Sequence, residues 1–87
     1  MSDDQLKKDL ITQMRSKDNL TALSALKEYK QHFGFSLDGA DLSGGNLTCA
    51  VLGSMSLRGA NLYETDLVRS DLEVADFTNA NLSSANL

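Results

Sequence analysis

From residue 37 onward an apolar side chain recurs at every fifth position: Leu37, Leu42, Leu47, Leu52, Leu57, Leu62, Leu67, Leu72, Phe77, Leu82 and Leu87, without an insertion. A helix at 3.6 residues per turn, or a strand at 2, would scatter such side chains around the element. A chain that turns a corner once per repeat keeps them on one inner line, and this predicts a solenoid. The first 34 residues follow another period. Leu6, Leu10, Ile11 and Met14 form a helical stripe behind Ser2 and Gln5, which have capping-box spacing, so a helix is predicted over residues 3–15. Ser16, Lys17, Asp18 and Asn19 then read as a turn, with Asp18 or Asn19 able to cap a second helix over residues 20–32. Its apolar face carries Leu23, Leu26, Tyr29 or Lys30, and Phe33, and Gly34 is placed as its left-handed C′ residue.

Helices this short need a surface to cover. A stack of coils supplies one, because its ends expose apolar side chains and unpaired backbone groups. The chain thus divides into a helical cap, residues 1–34, and a solenoid, residues 35–87; the alternative for the first segment is a flexible tail.

Each repeat reads small residue, polar residue, Leu, then two variable positions. Ala40, Gly45, Ala50, Ala60, Thr65, Ser70, Ala75, Ala80 and Ala85 stand two places before the centre. Asp41, Asn46, Asn61, Asp66, Asp71, Asp76, Asn81 and Asn86 stand one place before it. This pattern closely resembles the pentapeptide-repeat family, A(D/N)LXX, over residues 35–87. The resemblance implies a right-handed quadrilateral β-helix, four pentapeptides to a square coil, with central and small residues pointing inward. Eleven units would make 2.75 coils, a stack on the order of 13 Å high at roughly 4.8 Å per coil. Asp and Asn before each centre are expected to satisfy backbone groups at the corners.

Departures from the pattern carry information. Phe35 and Met55 fill small-residue slots one coil apart and mark the end whose interior is bounded by helix. Val51 replaces Asp or Asn, so its corner satisfies its backbone otherwise or faces an apolar partner. Asp38 and Arg58, twenty residues apart, are expected to form an exposed ion pair worth under about 1 kcal/mol.

Charge and composition narrow the function classes. Residues 1–34 hold six Lys and Arg against five Asp and Glu, net +1; residues 35–87 hold two against seven, net −5. An acidic solenoid is no direct ligand for nucleic acid; its charge serves solubility or a basic protein surface. Aromatics are 6% and proline is absent, which suits a narrow interior and continuous backbone pairing. One cysteine, Cys49, allows no internal disulfide. With no signal-peptide run and no long apolar stretch, the sequence reads as a soluble cytoplasmic protein without a membrane contact.

No catalytic constellation, cofactor motif or metal-ligand spacing is visible. His32 stands alone near a helix end, Cys49 occupies an outward variable position, the Asp and Asn ladder lacks a calcium-loop pattern, and Gly39, Gly44, Gly45, Gly53 and Gly59 read as corner glycines. The expectation is a non-catalytic interaction module with a protein partner, its contact patch drawn from the outward Tyr63, Val68 and Val74. The chain stops on a central residue, so Leu72, Phe77, Leu82 and Leu87 would be poorly covered, and two copies are expected to meet there as a homodimer; the alternative is a solenoid that continues. A rival function follows from the resemblance, since some longer members are similar in shape and charge to duplex DNA and bind DNA gyrase.

Overall fold

A computed structural model describes residues 2–87. Helix α1 spans Asp3–Met14, and α2 spans Asn19–Phe33. The Ser2 side chain accepts from the Gln5 amide, but only half of the expected capping box forms: Gln5 Nε2 donates to Asp9 at 2.9 Å. Asp18 caps α2 by accepting from the Thr21 amide and hydroxyl. As expected, α2 buries Leu26 and Tyr29; it also buries Ala22 and Ala25, which the spacing did not single out, and leaves Leu23 and Phe33 half-buried. Gly34 also differs from the predicted left-handed C′ residue. Its φ of 81° and ψ of −152° lie in a region open essentially to glycine alone, and this redirects the chain out of α2 into the first coil.

From Ser36 onward the backbone repeats a single unit. Parallel bridges join Ser36 to Ser56, Asp41 to Asn61, Asn46 to Asp66 and Val51 to Asp71, and continue as Ser56 to Asp76, Asn61 to Asn81 and Asp66 to Asn86. Every bridge spans twenty residues and involves the residue before a centre, so four pentapeptides make one circuit. Between successive bridges, the amide of each small residue donates to the carbonyl of the preceding centre, as in Ala40 to Leu37 at 3.0 Å, which closes a β-turn. The third residue of every turn has positive φ, from Gly39 at 71° to Ser84 at 58°. Among the common turn types, that pattern marks type II. Here the glycines separate by role: Gly39, Gly44 and Gly59 are third turn residues, Gly53 is a second turn residue, and Gly45 occupies a buried inward slot.

Leu37, Leu42, Leu47, Leu52, Leu57, Leu62 and Leu67 are buried along the axis, continuous with Leu10, Met14, Leu26 and Tyr29 of the helices. Thr65 takes an inward slot by donating its hydroxyl to the Leu42 carbonyl at 2.8 Å. Phe35 does not enter the interior beneath the helices, as its slot predicted; it is 57% exposed, whereas Met55 one coil below is 1% exposed. Tyr29 is part of the same buried cluster as Met55, and unbranched Met adapts to an irregular interior better than a rigid ring.

Candidate functional site

The corners account for most of the polar side chains. Asp41, Asn46, Asn61, Asp66, Asp71, Asp76 and Asn81 each accept, through Oδ1, the amide two residues on, at 2.9 to 3.2 Å. These are Asx-turns, so their carboxylates and amides are structural. At Ser56, which has no carbonyl-like acceptor, Asp38 from the coil above receives both the Ser56 hydroxyl and the Arg58 amide. That arrangement replaces the expected Asp38–Arg58 ion pair. With Asp38 committed to the amide, the guanidinium turns down the face, and its Nε lies 3.8 Å from Asp76. Hydroxyl and amide donors hold the carboxyls of Asp38 (from Ser56 and Arg58), Asp41 (from Ser43) and Asp76 (from Thr78) below the usual carboxylate range, with smaller help from Arg58 or Arg15.

The two ends of the stack differ. On the first coil the helical segment meets many, though not all, of the upward-facing backbone groups: the amides of Asp41 and Val51 make no hydrogen bond among the described residues. Tyr29 Oη donates to the Ser36 carbonyl, Lys30 Nζ to that of Val51, and Asn19 Nδ2 to those of Asn46 and Thr48. Arg15 Nε reaches the Ser43 carbonyl at 3.2 Å and Lys17 Nζ that of Gly44. The Asn46 amide, which elsewhere in the stack would donate to a coil above, donates to Ser16 O at 2.9 Å. The cap thus imitates a coil.

The last circuit has no such partner. Among the described residues, the amides of Leu72, Phe77, Leu82 and Leu87 and the carbonyls of Ser70, Ala75, Ala80 and Ala85 make no hydrogen bond within the chain. Leu72, Phe77 and Leu82 are half-buried, and Leu87 is 70% exposed. The four residues expected to mediate self-association therefore lie one per side around a single open rim. Tyr63, Val68 and Val74 are not brought together in this way. They occupy turn positions at three successive corners of the second circuit, so they form no single patch.

One surface was not anticipated. A cleft of about 350 Å³ opens between α2 and the first coil, lined by Leu23, Leu26, Lys27, Lys30, Cys49 and Val51. The sequence signal for it was Val51, the apolar residue in a polar slot. Cys49 is exposed there and His32 is exposed on α2. Among the described residues no three His, Cys, Asp or Glu side chains cluster as a metal site, and no helix is long and apolar enough to cross a membrane.

The sequence profile of the family described as pentapeptide repeats matches residues 36–73 and 56–87, with eight copies. No curated protein matches the chain.

Proposed function

This chain belongs to the pentapeptide-repeat family, and from that premise we propose that it is a non-catalytic protein-interaction module which self-associates through the rim of its last circuit. In this reading residues 35–87 form a right-handed quadrilateral β-helix of 2.75 coils, and residues 1–34 cap one end of it. It works in the cytoplasm, with a protein as its partner.

The observation that carries the reading is the row of free backbone groups beneath Leu72, Phe77, Leu82 and Leu87. On each side of the rim, the free amide of the central residue and the free carbonyl two places earlier flank one bridge residue. That spacing matches the wider pair of an antiparallel ladder, in which the residues flanking the pair exchange N–H···O=C bonds. A second copy related by a two-fold axis perpendicular to the stack presents the same groups in reverse order, so donors meet acceptors and the apolar rims close on each other. The DNA-mimic reading has no comparable observation in its favour: residues 35–87 carry a net charge of only −5, and the exposed Arg58 and Arg69 belong to the same stack.

Sedimentation tests the proposal. The 87-residue chain is expected to run as a dimer at micromolar concentration, and Leu87→Asp, which sets a charge on the exposed part of the rim, is expected to return it to monomer without unfolding it. A monomeric parent chain, or a dimer indifferent to Leu87→Asp, refutes the end-to-end arrangement.

A further inference from the structure

The cleft between α2 and the first coil departs from its surroundings in composition and in charge. All the other bridge-position residues are Asp, Asn or Ser, and Val51 alone is aliphatic. It is 57% exposed, and it gives up the side-chain acceptor that the Asp and Asn corners use to hold the amide two residues on. Its aliphatic surface instead extends the cleft floor formed by Leu23 and Leu26. The cleft is open rather than enclosed, which suits a segment laid along the surface better than a small molecule that must be mostly buried.

Charge distinguishes this apolar surface from the exposed apolar side chains of the second circuit. The exposed Tyr63 and Val74 each adjoin an acidic residue, Glu64 and Glu73, in a segment of net charge −5. At the cleft the neighbours are Lys27 and Lys30. Lys27 makes no hydrogen bond or ion pair among the described residues, and Lys30 spends one donor on the Val51 carbonyl while keeping its charge. An acidic segment approaching this molecule is repelled by the solenoid and drawn to the cleft rim.

We propose that this cleft is the docking site for an acidic peptide segment of the protein partner, with an apolar side chain seated against Leu23, Leu26 and Val51 and carboxylates facing Lys27 and Lys30. The proposal rests on the protein-interaction reading above and supplies the chemistry of the partner.

Cys49 is the only thiol in the chain and lines the cleft, so its rate of modification by a chromogenic disulfide reagent reports occupancy. The probe is a synthetic helical peptide carrying two leucines one turn apart among glutamates, compared with a copy that has lysine for every glutamate. The glutamate peptide is expected to protect Cys49 saturably. The lysine peptide, and the variants Val51→Asp and Lys27→Glu, are expected to weaken protection by roughly tenfold or more, the order expected when a central contact or its charge partner is lost. Val51→Asp restores the residue type used at other bridge positions, so its unfolding midpoint should not fall. Equal protection by both peptides, no protection at millimolar peptide, or insensitivity to both variants overturns the proposal. So does protection by decanoate alone, which would assign the cleft to small amphiphiles. Sedimentation of Val51→Asp separates the two readings: a cleft that fails while the mass stays that of a dimer refutes only the docking site.

Discussion

At the scale of single residues, the third turn position is where this fold is most demanding. Left-handed backbone costs an ordinary L-residue about 1–2 kcal/mol, yet Cys49, Ser54, Glu64, Arg69, Val74, Asn79 and Ser84 all adopt it, with φ between 57° and 65°. They hold it because the turn around each is closed, and at Cys49, Ser54 and Glu64 the coil below fixes the backbone as well. Each turn is closed by its own amide-to-carbonyl bond, and third-position amides such as those of Cys49, Ser54 and Glu64 also donate to the coil below. Val74 is the least suited of the set, since it is β-branched, and it is 80% exposed, so no burial compensates it. Val74→Asn is expected to raise stability by about 1 kcal/mol, because Asn tolerates this conformation. Asn79→Val at the equivalent next corner should lower it by a similar amount. Urea unfolding of the two variants checks both signs; a destabilised Val74→Asn would show that the valine makes a contact that matters.

At the scale of elements, the junction between cap and solenoid depends on one missing methyl group. Gly45 sits in the inward slot that alanine fills in most other repeats, so by the repeat rule alone Ala would serve equally. In the folded chain a Cβ at that position would lie 2.3 Å from the Met14 carbonyl oxygen and 3.0 Å from Arg15 Cα. These are backbone atoms, and a rotamer change cannot relieve the clash. The end of α1 must approach this closely because the Ser16 carbonyl receives the Asn46 amide, and Arg15, Lys17 and Asn19 must reach their carbonyls on the same coil. Gly45→Ala is therefore expected to cost about 1–3 kcal/mol, the usual range for overpacking. Hydrogen exchange should show the loss concentrated in α1 and the first coil. Ala50→Gly, at the neighbouring inward slot, should cost less and leave the exchange of α1 unchanged.

At the scale of the whole molecule, the Asx-turns tie stability to pH. The carboxyls of Asp38, Asp41 and Asp76 titrate below their unfolded value near 3.8. A group with a lowered folded-state value contributes stability that is fully present above the unfolded value and lost as pH falls through the folded one. The unfolding midpoint should thus be flat from neutral pH down to about 5, then fall as pH drops below about 4. Changing Asp41 and Asp76 together to Asn should shrink the acid limb and retain most of the stability at pH 7, because Asn46, Asn61 and Asn81 perform the same acceptor role at other corners. An acid limb unchanged in that variant would place the titrating groups elsewhere. The same scale exposes the asymmetry of the stack: side chains and backbone of the helical segment cover one end and bond many of its groups, and the other presents a full row of free groups of the same kind.

What the sequence determined by itself was everything periodic. Eleven centres in register specified a chain that turns a corner every five residues with its leucines on one inner line, and the resemblance to pentapeptide-repeat proteins added four corners to a circuit and inward-pointing centres, because a regular stack leaves each repeat with one environment and therefore one residue choice. The two helices and the Ser2 cap were legible for the same reason, being set by neighbours three or four residues away, while the choice between Asp18 and Asn19 as the second cap was left to the structure. Tertiary structure alone decided whatever depended on two elements meeting at an angle no period encodes. It turned Phe35 outward while admitting Met55, made glycine obligatory at position 45, redirected Arg58 to Asp76, and opened the lysine-rimmed cleft beside Val51. It also scattered Tyr63, Val68 and Val74 over three corners, since a patch requires side chains to share a face, and residues five or six apart in this fold have already turned onto the next side.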